Sequence, residues 1–304
     1  MGDFPQDLFG HPFSMSLASH YADGKCAISF ELFPPKTPQG LETLLENVRR
    51  LTRFNPAYFT CTYGAGGSSQ ATTLDVLAKV REITHLPVAS HLTCVGSTTD
   101  QLQDYLSKAV DQGTDYIVAL RGDPPKGESQ FTAVQGGLRY ANELVELIRE
   151  KFAGLGIAVA GYPEVHQEAV DAKTDLENLK RKVDAGADIV ITQLFYDNAD
   201  FYRFRDDCVA AGIGVPIVPG ILPVTNFAQA QRIASMCKAG IPESLRTSMT
   251  ASDDADQQFK IGVEHARMQT DDLLDNGVPG IHYYVLNKSE AAESLLDGLQ
   301  LGSA

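Results

Sequence analysis

Eight short runs rich in β-branched and aromatic residues recur along this 304-residue chain, each separated from the next by enough chain for a helix. They are Ala27–Phe33, Ala57–Tyr63, Pro87–Thr93, Tyr116–Arg121, Ile157–Tyr162, Asp188–Leu194, Val215–Pro219 and Ile281–Val285. The intervening stretches carry helical spacing. Leu41, Leu44, Leu45, Val48 and Leu51 follow i, i+3, i+4, i+7, as do Leu102, Tyr105, Leu106, Ala109 and Val110. Thr37-Pro38 reads as a cap followed by proline at the first helical position. Thr98 with Gln101 fits a capping box. Residues 252–276 read as an extra helix before the last strand. Strict alternation of strand and helix predicts parallel pairing, and eight repeats favour a closed (β/α)8 barrel over an open doubly wound sheet. Residues 1–24 are expected to be an irregular N-terminal segment, and residues 25–304 a single barrel domain.

A barrel wrapped in helices needs an apolar outer face on every strand, so polar residues of the other parity point inward. In the first strand Ile28, Phe30 and Leu32 share one face and Ser29 and Glu31 the other. The third strand groups Ala89, His91 and Thr93, the fifth Ala158, Ala160 and Tyr162, and the sixth Ile189, Ile191 and Gln193. The fourth is read as grouping Ala119, Arg121 and Asp123, and the eighth as grouping His282 and Tyr284. Inward positions are thus small or apolar at the strand start and polar at its end. That pattern predicts a polar cup of Glu31, Thr62, His91, Arg121, Asp123, Tyr162 and Gln193 at the C-terminal mouth, where barrel active sites sit.

Composition narrows the chemistry. A formal net charge of -14 argues against nucleic-acid binding. The five cysteines are scattered and form no C-x-x-C pair, which argues against a disulfide framework or a zinc site. No signal peptide or membrane-spanning run is visible, so a cytoplasmic location is expected. No metal constellation stands out.

The motifs at the strand ends point to acid–base chemistry. Glu31 lies between bulky apolar residues and Pro34-Pro35, a setting that disfavours its charged form and suits a general acid. Pairing with Lys36 would explain it equally well. Arg121-Gly122-Asp123 could grip a cofactor, or simply close a strand with an ion pair. The glycine-rich turn Thr62–Ser68 matches neither a dinucleotide fingerprint nor a P-loop. Asn178-Leu179-Lys180-Arg181-Lys182 reads as a solvated basic helix face or as a phosphate contact.

Taken in order, these motifs resemble the methylenetetrahydrofolate reductase family in its bacterial, single-domain form. The resemblance covers about residues 26–298. It rests on Ser29–Lys36, Thr62–Gly67, His91–Cys94, Leu120–Asp123, Tyr162–His166, Asn178–Ala187, Ile191–Gln193, Pro219–Val224 and Tyr284–Lys288. It implies a barrel holding FAD non-covalently, with NADH or NADPH as reducing substrate. In the implied ping-pong scheme the nicotinamide leaves before 5,10-methylenetetrahydrofolate binds and is reduced to 5-methyltetrahydrofolate. It implies Glu31 as the acid that protonates N10 of the folate, and Asp123 as the group that stabilises the resulting cation. Tyr63, Ala65, His91, Arg121, Gly122, Asp123, Ala141, Tyr162, His166, Ala169, Asp175, Asn178, Arg181 and Lys182 are implied contacts of FAD. Thr62, Gln193, Gln229 and Lys288 are implied contacts of the substrates.

The resemblance also implies a homo-oligomer, and leaves no room after the barrel for the S-adenosylmethionine-sensing domain of eukaryotic relatives. Two positions depart from the pattern. Lys288 stands where some relatives are expected to have arginine, keeping the charge but losing the fork, and Ile233 stands where a relative has a phenylalanine that stacks on substrates. The competing readings are a flavin-free barrel, such as a pterin-dependent methyltransferase or an aldolase, and a non-catalytic scaffold.

Overall fold

The computed structural model describes residues 16–22, 24, 26–63, 70–124, 127 and 131–299. Its eight strands are β1 (Ala27–Leu32), β2 (Tyr58–Cys61), β3 (Val88–Thr93), β4 (Tyr116–Leu120), β5 (Gly156–Gly161), β6 (Ile189–Leu194), β7 (Ile217–Ile221) and β8 (Gly280–Tyr284). All neighbours pair parallel, and β8 returns to β1, so the sheet closes in sequence order as a (β/α)8 barrel.

The helices between consecutive strands are α1 (Pro38–Thr52), α2 (Gln70–Thr84), α3 (Thr99–Asp111), α4 (Ala141–Lys151), α5 (Ala172–Asp184) and α6 (Asn198–Ala210). Between β7 and β8 come α7 (Phe227–Cys237), α8 (Glu243–Thr250) and α9 (Ala255–Asp275), and α10 (Glu290–Leu296) follows β8. The predicted starts are real. The Thr37 hydroxyl accepts from the Gly40 N–H (3.0 Å), with Pro38 opening α1. Thr98 and Gln101 form both halves of the capping box on α3. Asp171, Asp197, Asn226 and Asp254 cap α5, α6, α7 and α9 in the same way, each satisfying a backbone donor that a helix start leaves free.

The two parities of the strands serve different cores. Outward residues such as Phe30, Phe59, Ile117, Ile157, Val190 and Ile281 pack with Leu44, Val48, Leu77, Leu106 and Ile148 of the helices. Inward residues Tyr58, Ala89, Tyr116, Val118, Ala158, Ile189, Ile191 and Val218 fill the lower barrel. The N-terminal segment contributes to that floor. Leu17–Tyr21 forms a short 3-10 helix within the stretch expected to be irregular, and Leu17 and Tyr21 are buried against Tyr58 and Tyr116.

Two expectations shift. β7 begins and ends two residues later than Val215–Pro219. Pro219 has no N–H for a ladder and reads as a terminator. It is tolerated because the β6–β7 register breaks between Ile191 and Leu194, where the Gly220 N–H bonds the Thr192 hydroxyl instead (2.9 Å). In β4 the inward residues are Val118 and Leu120, while Ala119 faces the helices. Arg121 and Asp123 still reach the mouth, because the chain leaves the strand at once and Gly122 turns it with φ +89°.

Candidate active site

The strand ends surround a cavity of about 360 Å³ at the C-terminal mouth of the barrel. Glu31 from β1 stands at its base. It is buried, with 7% of its surface exposed. One carboxylate oxygen, Oε2, lies 3.3 Å from His91 Nε2 of β3 and 3.7 Å from His282 Nε2 of β8. Both rings point inward because their positions share the parity of Glu31. Ser29 fixes the second ring. It pairs in register with His282, and the Ser29 hydroxyl meets His282 Nδ1 at 2.8 Å, which turns Nε2 towards the carboxylate. Burial holds the His91 imidazole below its ordinary value of 6.5; the Glu31 charge acts in the opposite sense and His282 in the same one. His91 therefore favours the neutral form.

The wall continues through β8, β6 and β5. The Tyr284 hydroxyl donates to the Thr192 carbonyl (2.7 Å), and its ring meets the His282 ring edge-on at 5.2 Å. Gly220 makes room for this ring: a side-chain carbon there would stand 2.4 Å from the Thr192 carbonyl and 2.7 Å from Tyr284. Tyr162 and His166 meet edge-on at 4.6 Å. His166 is held by its own N–H, which donates to the Asp175 carboxylate (2.9 Å). Arg121 grips Glu168 with two parallel bonds of 2.8 and 2.7 Å and lies over the Phe131 ring. Lys182, from α5, donates to the Ala160 carbonyl (2.5 Å) and lies 5.9 Å from the Tyr162 ring centre. Burial lowers its pKa to about 8.

The structure brings Glu31, Thr62, Tyr63, His91, Arg121, Gly122, Asp123, Tyr162, His166 and Gln193 into one cavity wall. Ala141, Ala169, Asp175, Asn178, Arg181, Lys182, Gln229 and Lys288 stand outside it. Arg181 is exposed on α5 and bonded to Asn178 (2.6 Å), Gln229 lies in the first turn of α7, and Lys288 is exposed on the turn after β8. Ala65 lies outside the described residues. Thr93, Leu120, Ile191, His282 and Tyr284 also line the cavity, although the site expectation omitted them. The alternation along β8 had already placed His282 and Tyr284 inward; only a partner for them was lacking. Among the described residues, no group of three or more His, Cys, Asp or Glu side chains is placed to hold a metal ion.

The fold and site are those of a closed (β/α)8 barrel with a buried carboxylate, two imidazoles, an arginine and an aspartate at its C-terminal mouth. The chain belongs to the methylenetetrahydrofolate reductase family, whose model matches residues 16–300.

It is 41% identical to the 5,10-methylenetetrahydrofolate reductase of Escherichia coli (strain K12) over 90% of both chains. It is 39% identical to methylenetetrahydrofolate reductase (NADH) 1 of Arabidopsis thaliana, over 91% of this chain and 49% of that one. The chain thus spans about half the length of its plant relatives and nine-tenths of the bacterial one. Among solved structures, a Clostridium thermocellum protein described as binding two copies of 5-methyl-5,6,7,8-tetrahydrofolic acid shares the fold. Its TM-score is 0.63 and its identity 15%, over 89% of this chain and 94% of that one.

Proposed function

We propose that this chain reduces 5,10-methylenetetrahydrofolate to 5-methyltetrahydrofolate, using NADH or NADPH as the reducing substrate and FAD as a bound carrier. Family membership and the bacterial relative of matching length support the reaction. The single observation that carries the mechanism is the shared cavity of Glu31 and Asp123, which is also lined by Tyr63, His91, Arg121, Tyr162 and His166.

The residues fit FAD. One cavity-lining polar atom, Thr93 Oγ1, is buried with no hydrogen-bond partner among the described residues, as suits a site for a polar ligand. At Gly122 a side-chain carbon would stand 2.6 Å from Val95, so only glycine leaves the backbone open there. Tyr63, His91, Arg121, Gly122, Asp123, Tyr162 and His166 would hold the cofactor within the cavity. Ala141, Ala169, Asp175, Asn178, Arg181 and Lys182 would extend its contacts over the rim, with Arg181 and Lys182 towards the phosphates. The chemistry that bound FAD would supply is hydride relay from the nicotinamide to the methylene carbon of the folate, in a ping-pong order.

The chain itself supplies the proton. Glu31 in its protonated form gives it to N10 of the folate, opening the five-membered ring to an iminium. The Asp123 carboxylate stabilises that cation through space. After transfer, the Glu31 carboxylate faces His91 Nε2 at 3.3 Å, which can donate to it, with His282 Nε2 further off at 3.7 Å. Thr62, Gln193, Gln229 and Lys288 would orient the substrates.

The test is anaerobic stopped-flow spectroscopy on the purified protein. The reading predicts a yellow flavoprotein that bleaches with NADH or NADPH and regains its colour on adding methylenetetrahydrofolate. A colourless protein that refuses added FAD, or a bleached one that the folate cannot reoxidise, would overturn it.

A further inference from the structure

The turn after β8 is strained and tied to the end of the strand that carries Glu31. Leu286 and Asn287 are consecutive residues at φ +49° and +60°. Asparagine visits that region readily, but leucine does not. A strained backbone persists only when its surroundings over-determine it, and such strain gathers at functional sites.

Here the Asn287 side chain supplies the constraint. Its Oδ1 accepts from the Phe33 N–H (2.7 Å) and its Nδ2 donates to the Phe33 carbonyl (2.8 Å). The amide thus copies one rung of a β-ladder and extends the β8–β1 seam past the last backbone pair, Glu31 with Tyr284. The Asn287 carbonyl in turn accepts from Asn47 Nδ2 on α1 (2.8 Å). Asn47 Oδ1 accepts from the buried Ser289 hydroxyl ahead of α10 (3.0 Å). One residue is therefore bonded to β1 and α1, and through Asn47 to the start of α10. The next residue in the chain, Lys288, has its N–H fixed to the Val285 carbonyl (2.8 Å).

We propose that Asn287 is a positioning residue that sets where the Lys288 side chain stands relative to Glu31. The inference rests on the folate reading, in which Lys288 contacts that substrate and Glu31 protonates it. Asn287 touches neither the reacting atoms nor the cavity wall. It acts by joining the two strand ends that bear the groups which do. Its loss leaves the acid in place and loosens the grip on the folate.

The test uses the FAD-loaded protein with Asn287→Gly and Asn287→Asp. Glycine takes φ +60° at no steric cost, so the backbone path survives while the side-chain bonds go. Aspartate keeps the acceptor for the Phe33 N–H but sets a carboxylate oxygen against the Phe33 carbonyl. Both variants are expected to raise the KM for methylenetetrahydrofolate about tenfold, the scale of a lost pair of neutral hydrogen bonds. Flavin reduction by NADH or NADPH, and reoxidation at saturating folate, stay within about twofold. A KM unchanged in either variant overturns the proposal. So does a parallel fall in flavin reduction, which marks general damage to the barrel. Failure of the wild-type protein to be reoxidised by folate would instead sink the underlying reading, so the two failures are distinguishable.

Discussion

Glu31 Oε2 lies 3.3 Å from His91 Nε2, and burial holds that imidazole below its ordinary value of 6.5. The carboxylate proposed as the acid is thus flanked by a ring that stays neutral at pH 7. A neutral imidazole can donate to the carboxylate or accept from the carboxylic acid, depending on its tautomer. A permanently charged ring would hold the carboxylate ionised.

The same burial links stability to pH. His20, His91, His166 and His265 all have values lowered by burial. The unfolded chain therefore binds more protons than the folded one below about pH 6.5, and protonation favours unfolding. The stability contributed by these neutral rings is fully present above 6.5 and is lost as pH falls through their folded values. Thermal unfolding at pH 7.5 and pH 5.5 is expected to show a lower Tm at the acid end, with His91→Gln reducing the difference. An equal drop in that variant would remove His91 from the account.

Lys182 gives a pH dependence of the opposite direction, in cofactor binding. Burial lowers its pKa to about 8, so its charge is present at pH 7 and fades as pH rises through that value. If Lys182 faces the FAD phosphates, FAD affinity weakens between pH 7 and pH 9. Lys182→Arg, which keeps its charge throughout, flattens that change. Fluorescence titration of the apoprotein with FAD measures both, and a wild-type affinity independent of pH would detach Lys182 from the phosphates.

Gly262, within α9, inverts an ordinary rule. Alanine in place of a helical glycine normally stabilises by about 1 kcal/mol. Here the added carbon would stand 1.7 Å from the Val224 carbonyl oxygen, so α9 or the chain after β7 must move apart. Gly262→Ala is expected to destabilise by about 1–3 kcal/mol in chemical denaturation.

Leu17 plugs the barrel floor at 1% exposure, among Tyr21, Tyr58 and Tyr116. Leu17→Ala leaves a cavity there and is expected to cost about 2–5 kcal/mol. The active site lies at the other end of the barrel, so flavin reduction per folded molecule should be unchanged.

Much of this was legible in the chain. Period-two alternation placed Glu31, His91, Tyr162, Gln193, His282 and Tyr284 inward because helices cover every outer face. Caps at Thr37 and Thr98 were readable because the required groups lie within three residues of one another. Distant partnerships left no local trace. Ser29 and His282 are set side by side only when β8 closes on β1, and Leu17 finds its place only once the floor exists. The inward side of β4 was misread because Arg121 and Asp123 reach the cavity through the Gly122 turn rather than through strand parity. The basic run on α5 left a solvated face and a phosphate contact equally open, while Gln229 on α7 and Lys288 after β8 were suggested by family resemblance alone.

In the proposed mechanism Glu31 supplies the proton in the folate half-reaction and has no part in the other. Glu31→Gln, which keeps the shape and removes the acid, separates the two in anaerobic stopped-flow measurements. Flavin reduction by NADH or NADPH should stay within about an order of magnitude of wild type, while folate-driven reoxidation falls by about 10²–10⁴-fold, the usual worth of one positioned acid. Equal loss in both half-reactions, or folate reduction at the wild-type rate, would contradict the account.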